Sequence, residues 1–140
     1  MGRVISFFLL ITIIFSCGTV FAETETEVFV NGAKLECDVA PIIENDRTLV
    51  PMRAIFEALG AHIHWDDETK TVTAVSDKTI VVIQIGNELA FVNNNSYTLD
   101  VPAQIKNDRT LVPARFTCEA LNASVEWDEA NRQVNITTSN

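Results

Sequence analysis

The feature that most constrains this chain is a run of seven residues that it contains twice. Asn45-Asp46-Arg47-Thr48-Leu49-Val50-Pro51 recurs letter for letter as Asn107-Asp108-Arg109-Thr110-Leu111-Val112-Pro113, 62 residues later. The match extends in both directions. Arg53 aligns with Arg115, Glu57-Ala58-Leu59 with Glu119-Ala120-Leu121, Trp65-Asp66 with Trp127-Asp128, and Asp38 with Asp100. Self-similarity at a fixed period marks a structural unit built more than once. Whatever one copy folds into, the other is expected to fold into too, whether the two form one fused domain or exchange strands. An enzyme site rarely needs its whole scaffold in duplicate, so the repeat points first to a packing module.

Each copy reads as strands around one short helix. The first spans about residues 28–76 and the second about 89–138, with a connecting β region at about 77–88. Val28 to Leu35 has apolar flanks around Asn31-Gly32, a pair that suits the positive φ angles of a tight hairpin. The second copy has Asn93-Asn94 there, and Asn also tolerates the left-handed region. Arg47 to Val50 is a short β-rich stretch, and Pro51 suits the first position of a helix. Met52, Ile55, Phe56 and Leu59 then follow at helical spacing, matched by Ala114, Thr117, Cys118 and Leu121. Gly60 and Asn122 are the residues that most readily cap a helix in the left-handed conformation. A helix of roughly nine residues cannot stand alone, so it must be pinned to a sheet. Ile63 and Trp65 alternate with His62 and His64, as Val125 and Trp127 alternate with Ser124 and Glu126, giving half-buried strands. Thr79 to Ile85 is a β run that joins the copies into one sheet system. The expected class is α+β, mostly antiparallel sheet with two short helices built from two tandem repeats.

Residues 1–22 read as an address. Arg3 is followed by an apolar run from Val4 to Phe15, too short to span a bilayer, which takes about 20 apolar residues. Val20-Phe21-Ala22 supplies a cleavage site, so the segment is expected to be a secretory signal peptide. A lipid anchor at Cys17 is the alternative, with bulky Phe15 against it. Cleavage would leave residues 23–140 with nine basic and nineteen acidic side chains. That balance argues against nucleic acid and anionic lipid, which both demand clustered Lys and Arg. Membrane contact is expected only during export. Cys37 and Cys118 align with Leu99 and Phe56, which suggests that both are small core hydrophobes. A disulfide between them stays open in an oxidising compartment.

The run Asn-Asp-Arg-Thr-Leu-Val-Pro-x-Arg, then Glu-Ala-Leu-Gly-Ala, then Trp-Asp, resembles the copper amine oxidase N-terminal-domain-like family. Its members are common among secreted and surface proteins of Gram-positive bacteria. The likeness covers roughly residues 28–138. It implies an antiparallel sheet wrapped around a helix, from the stalk domain of an amine oxidase and not its catalytic domain. The family's oxidase makes its quinone from a Tyr in an Asn-Tyr-Asp/Glu context, whereas Tyr97 lies in Ser96-Tyr97-Thr98. Its copper needs three His, and this chain has two. The resemblance therefore implies no oxidase activity and no cofactor, and it supplies no catalytic residue.

Three sets of residues remain as candidates. His62 and His64 share one face of a strand and could hold a metal with Asp66 or Asp67; a solvated strand face is the plainer reading. Asp46, Arg47, Arg53 and Glu57, with Asp108, Arg109, Arg115 and Glu119, form a duplicated charged set that also brackets Pro51 and Pro113. A scaffold role is expected for it, with Arg47 or Arg53 holding carbonyls at a chain reversal or a carboxylate such as Asp38. Anion or glycan binding is the rival, since a guanidinium fork suits carboxylates. Trp65 and Trp127 read as core anchors before sugar platforms. The expected function is a non-catalytic extracellular structural or interaction module at the bacterial surface. Its partner would be an extracellular protein, a wall polymer, or a second copy through self-association. A binding module for cell-wall glycan or peptide is the alternative.

Overall fold

The computed structural model describes residues 25–139. The expected signal segment and Cys17 lie outside the described residues. Four of the hairpins turn on two adjacent residues at positive φ. Asn31 and Gly32, at φ 50° and 83°, join β1 (Glu27–Val30) to β2 (Ala33–Leu35). Asn93 and Asn94, at 48° and 70°, join β8 (Leu89–Val92) to β9 (Asn95–Thr98). The other two are the Asn-Asp pairs of the repeated run. Asn45 and Asp46 join β3 (Ile42–Glu44) to β4 (Arg47–Pro51), and Asn107 and Asp108 join β10 (Gln104–Lys106) to β11 (Arg109–Pro113). The strands β3 and β10 were not anticipated, although Asn and Asp are the two non-glycine residues most at home in this turn.

The prolines lie one residue earlier than expected. Pro51 and Pro113 close their strands and immediately precede α1 (Met52–Ala58) and α2 (Ala114–Ala120), with φ −59° at both. Each helix has seven residues and presents one buried face: Met52, Ile55 and Phe56 in α1, and Ala114, Thr117 and Cys118 in α2. Gly60 and Asn122, at φ 78° and 61°, turn the chain out of them. The remaining strands are β5 (His62–Asp66), β6 (Thr71–Ser76), β7 (Thr79–Gln84), β12 (Ala123–Asp128) and β13 (Gln133–Thr138).

Three sheets result, in the orders β10-β11-β4-β3, β5-β6-β7-β8-β9 and β12-β13-β1-β2. In the central four-stranded sheet β4 and β11 run antiparallel, with Val50 opposite Val112, Leu49 opposite Pro113 and Pro51 opposite Leu111. Val50 and Val112 are 62 residues apart, so the repeated run pairs with itself about a local two-fold axis. In the five-stranded sheet every neighbouring pair is antiparallel. In the remaining sheet β1 pairs in parallel with β13, Val28 beside Val134 and Val30 beside Ile136. The N-terminal hairpin thereby closes on the C-terminal strand. All of this gives an α+β fold, mostly antiparallel, with two short helices.

The two helices and the inner faces of the outer sheets share one core. It includes Ile55 and Phe56 of α1, Cys118 of α2, and Val28, Val72, Val81, Ile83, Val134 and Ile136 from the sheets. Burying a side chain such as Phe56 stabilises by roughly 1.5–3 kcal/mol, and this pins helices too short to persist alone. Leu49, Leu111 and Val101 form a smaller cluster.

Candidate binding grooves

Where β4 and β11 lie side by side, the turn that begins one strand projects past the end of the other. Leu49 is opposite Pro113, so Arg47 reaches the start of α2, and by the same register Arg109 reaches the start of α1. Two grooves form at these junctions. One, of about 720 Å³, is lined by Asp46, Arg47 and Thr48, by Arg115, Phe116 and Glu119 of α2, and by Asp100 and Trp127. The other, of about 850 Å³, is lined by Asp108, Arg109 and Thr110, by Arg53, Ala54 and Glu57 of α1, and by Asp38 and Trp65. Most of these residues correspond at the 62-residue offset. Each groove takes its helix and Trp from one sequence copy and its Asp-Arg-Thr turn from the other.

This exchange changes the expected ion pairs. Asp38 does not meet Arg47. Arg47 donates from Nε at 2.8 Å and Nη2 at 2.5 Å to Oδ2 of Asp100. Arg109 donates from Nε at 3.3 Å and Nη2 at 3.1 Å to Oδ2 of Asp38. A bond to a carbonyl at a chain reversal, expected of Arg47 or Arg53, is found instead at Arg109, whose Nη1 donates to Asp108 O at 3.3 Å. The cause is the pairing of β4 with β11, which carries each Arg to the other copy's carboxylate. Arg53 and Glu57 pair along α1 at 3.5 Å, as do Arg115 and Glu119 along α2. In all four pairs both side chains are more than half exposed. Exposed pairs stabilise by only about 0–1 kcal/mol, so folding stability alone is a weak reason to keep the set twice.

The tryptophans are half-buried. Each packs against the core, as expected of an anchor, and each also lines a groove. Arg132 lies over the Trp127 ring with its guanidinium carbon 5.8 Å from the centroid, a cation–π contact. In the other groove Lys70 pairs with Asp67 at 2.6 Å. The bond from Lys70, then its charge, and a smaller contribution from the Trp65 side chain hold the Asp67 carboxyl below its usual range. Tyr97 meets Phe116 at 5.9 Å between centroids. Leu35 and Ala54 stand at the corresponding positions, so the α2 groove is the more aromatic one.

Lys70, Arg132, Glu129, Ile43 and Ile105 also line the grooves but were not singled out from sequence, and Asp67 was singled out only as a possible metal ligand. The offset contained a signal for them. Lys70 aligns with Arg132, Asp67 with Glu129 and Ile43 with Ile105, so side-chain type persists where identity does not.

The other candidates lie elsewhere. His62 and His64 are exposed on β5, on the face turned away from the core. Among the described residues no three His, Cys, Asp or Glu side chains are grouped to hold a metal. Asp66, one suggested third ligand, accepts the N–H groups of Glu68 and Thr69, and Asp67 is held by Lys70. Cys37 and Cys118 are free thiols, so the suggested disulfide is not formed. Cys37 follows β2, whereas Cys118 is inside α2. Burial first, then the Glu119 charge, pushes the Cys118 thiol up to about 12. Burial, then Glu36 and Asp38, raises that of Cys37.

The chain is similar in sequence to known proteins. The chain is 27% identical over 78 residues to a primary amine oxidase of Klebsiella aerogenes, covering 56% of this chain and 10% of that protein. It is 30% identical over 102 residues to a protease inhibitor of Brevibacillus choshinensis, covering 72% of this chain and 31% of that protein. The chain therefore spans about a tenth and about a third of the lengths of these relatives. The family model for the copper amine oxidase N-terminal domain, a non-catalytic part of those oxidases, matches residues 29–136. With more than two thirds of its length matched, the chain belongs to the copper amine oxidase N-terminal domain family.

Proposed function

We propose that this chain is a non-catalytic extracellular interaction module, built as two tandem copies of one unit and working at the bacterial surface through its two grooves. The observation that carries the reading is the pair of grooves. Each sets a half-buried Trp beside a turn-borne Arg, a helix-borne Arg and several carboxylates. Such a surface presents an apolar plate and directional hydrogen-bonding groups, the makings of a recognition site. Membership of a family whose domain is non-catalytic supports the same reading. The Brevibacillus relative, named a protease inhibitor, gives a protein partner some support.

A second reading, binding of cell-wall glycan or peptide, is favoured by the groove chemistry. Guanidinium and carboxylate groups around an indole suit sugar hydroxyls as well as peptide groups. Co-sedimentation with purified Gram-positive sacculi across a salt series separates the two. Saturable pelleting that survives moderate salt and is lost in Arg53→Ala/Arg115→Ala makes wall polymer the ligand. Absence of pelleting rejects that ligand and leaves a protein partner. Pelleting unchanged in the double variant removes the grooves from the account.

A further inference from the structure

We infer that the outer face of the five-stranded sheet is an interface between two copies of this chain. Within a strand, alternate residues face opposite sides, and the inner side of this sheet is spent on the core. The outer side carries Val75 and Ile80 as paired neighbours, then Val82 and Phe91 as the next pair, with Leu89 beside them. Val75, Ile80, Leu89 and Phe91 are 41%, 47%, 46% and 39% exposed. They form one contiguous apolar stripe across three adjacent strands.

The fold does not require that stripe. The sheet β12-β13-β1-β2 occupies the corresponding position, and its outer side is polar. Thr137 stands where Val75 does, Asn135 where Thr73 does, and Ser124 and Glu126 where His62 and His64 do. Phe29, the counterpart of Phe91, sits between Asn135 and Lys34. Ile80 and Val82 come from β7, which has no counterpart among the described strands of that sheet. A large exposed apolar patch on one of two otherwise similar sheets marks a contact surface.

Charge selects a second copy as the occupant. The chain has a formal net charge of −9, so two copies repel each other over most orientations. Within the strands of this face, apart from the two histidines on β5, only Asp66 carries a charge. The matching face carries Glu27, Lys34, Glu126 and Asp128. Like-charged chains can approach on the uncharged face, and an isologous contact lays one stripe against the other. No Lys or Arg lies in the strands of the face to draw it to an anionic lipid surface. Size suits a reversible contact. Strands about 4.8 Å apart and about 3.3 Å per residue give a face of at most roughly 480 Å² in plan, below the roughly 800 Å² that each partner buries in a standard interface.

Sedimentation equilibrium of the full chain, recovered from a secreting host, tests the inference. A reversible dimer is expected, tightened by added salt as repulsion is screened. Ile80→Glu/Phe91→Glu should weaken it by more than roughly thirtyfold, the effect of losing a hot-spot residue. Should that variant fold poorly, Val75→Thr/Ile80→Thr keeps β-branched side chains and should weaken the dimer in the same direction. Phe29→Glu, on the matching face, should leave it unchanged. A monomer at every concentration overturns the inference, as does a dimer that tolerates both double variants or dissociates in Phe29→Glu. A monomer that floats with phosphatidylcholine vesicles would also overturn it, in favour of a lipid surface.

Discussion

The two outer sheets solve the same packing problem with different chain connections. In β5-β6-β7-β8-β9 the chain runs continuously from edge to edge, whereas β12-β13-β1-β2 is assembled from the last two and the first two of the described strands. The difference follows from strand direction. β6 and β8 both run antiparallel to β7, so they are parallel to each other. Parallel strands cannot be joined by a tight turn, and β7 is the return path laid down as a strand. β13 and β1 stand in the same relation, but no covalent link joins them, so they pair directly. The comparison teaches that the fold conserves which strands meet and in what direction, not how the chain reaches them. It leaves the outer faces free to differ, one apolar and one polar.

The largest effect should come from breaking the end-to-end sheet. Deleting residues 25–35 removes β1 and β2 and uncovers Val134 and Ile136, both 1% exposed. Loss of the cooperative thermal transition by circular dichroism is expected; an unchanged midpoint would show that the sheet does not need its N-terminal hairpin. Next comes the helix pair. Phe56 and Cys118 occupy equivalent buried positions. Phe56→Ala should cost about 3–5 kcal/mol and Cys118→Ala only about 1 kcal/mol in urea melts. Equal losses would mean that the two helices pack alike despite their different residues.

Alkaline pH should act chiefly through Cys118 of α2, the more deeply buried of the two thiols. The Cys118 thiol is raised from 9.0 to about 12 in the fold. Above pH 9 the unfolded thiol ionises while the folded one stays neutral, so its contribution is present below pH 9 and is lost as pH rises toward 12. Stability should fall more steeply over that window than in Cys118→Ala, and parallel profiles would contradict the assignment. Thr117, the counterpart of Ile55, has a buried hydroxyl with no hydrogen-bond partner among the described residues. Thr117→Val should therefore stabilise by about 1 kcal/mol, and a destabilised variant would point to a bound water. The smallest effect belongs to the crossed ion pairs. A double-mutant cycle on Arg47 and Asp100 should return less than about 1 kcal/mol, and a larger coupling would restore the scaffold reading of the charged set.

Much of the plan was legible locally. Asn31-Gly32, Asn93-Asn94, Gly60 and Asn122 announce their turns because positive φ leaves few residue choices. The helix faces were legible because Met52, Ile55 and Phe56 recur at helical spacing. What the sequence hid is non-local. Nothing in the residues of β1 says that it pairs with β13 and not with its own copy's β6, and nothing in β4 says that it pairs with β11, the pairing that decides which carboxylate Arg47 meets. The grooves were half visible for the same reason: the identical charged residues stood out, but Lys70, Arg132 and Phe116 acquire a role only once the copies are crossed. Trp65 and Trp127 are in phase with the buried side of their strands, and periodicity does not reveal that the burial is partial.

Photo-crosslinking from the grooves tests the central claim most directly. A photoreactive residue placed at Thr48 or Thr110, in the chain expressed by its source cell, lies in one groove or the other and leaves the groove arginines in place. The same probe at Thr137 lies on the polar sheet face as a control. The account predicts discrete adducts, to one protein or to wall polymer, from positions 48 and 110 and none from 137. Adducts from 137 alone, or equally from all three positions, would contradict it.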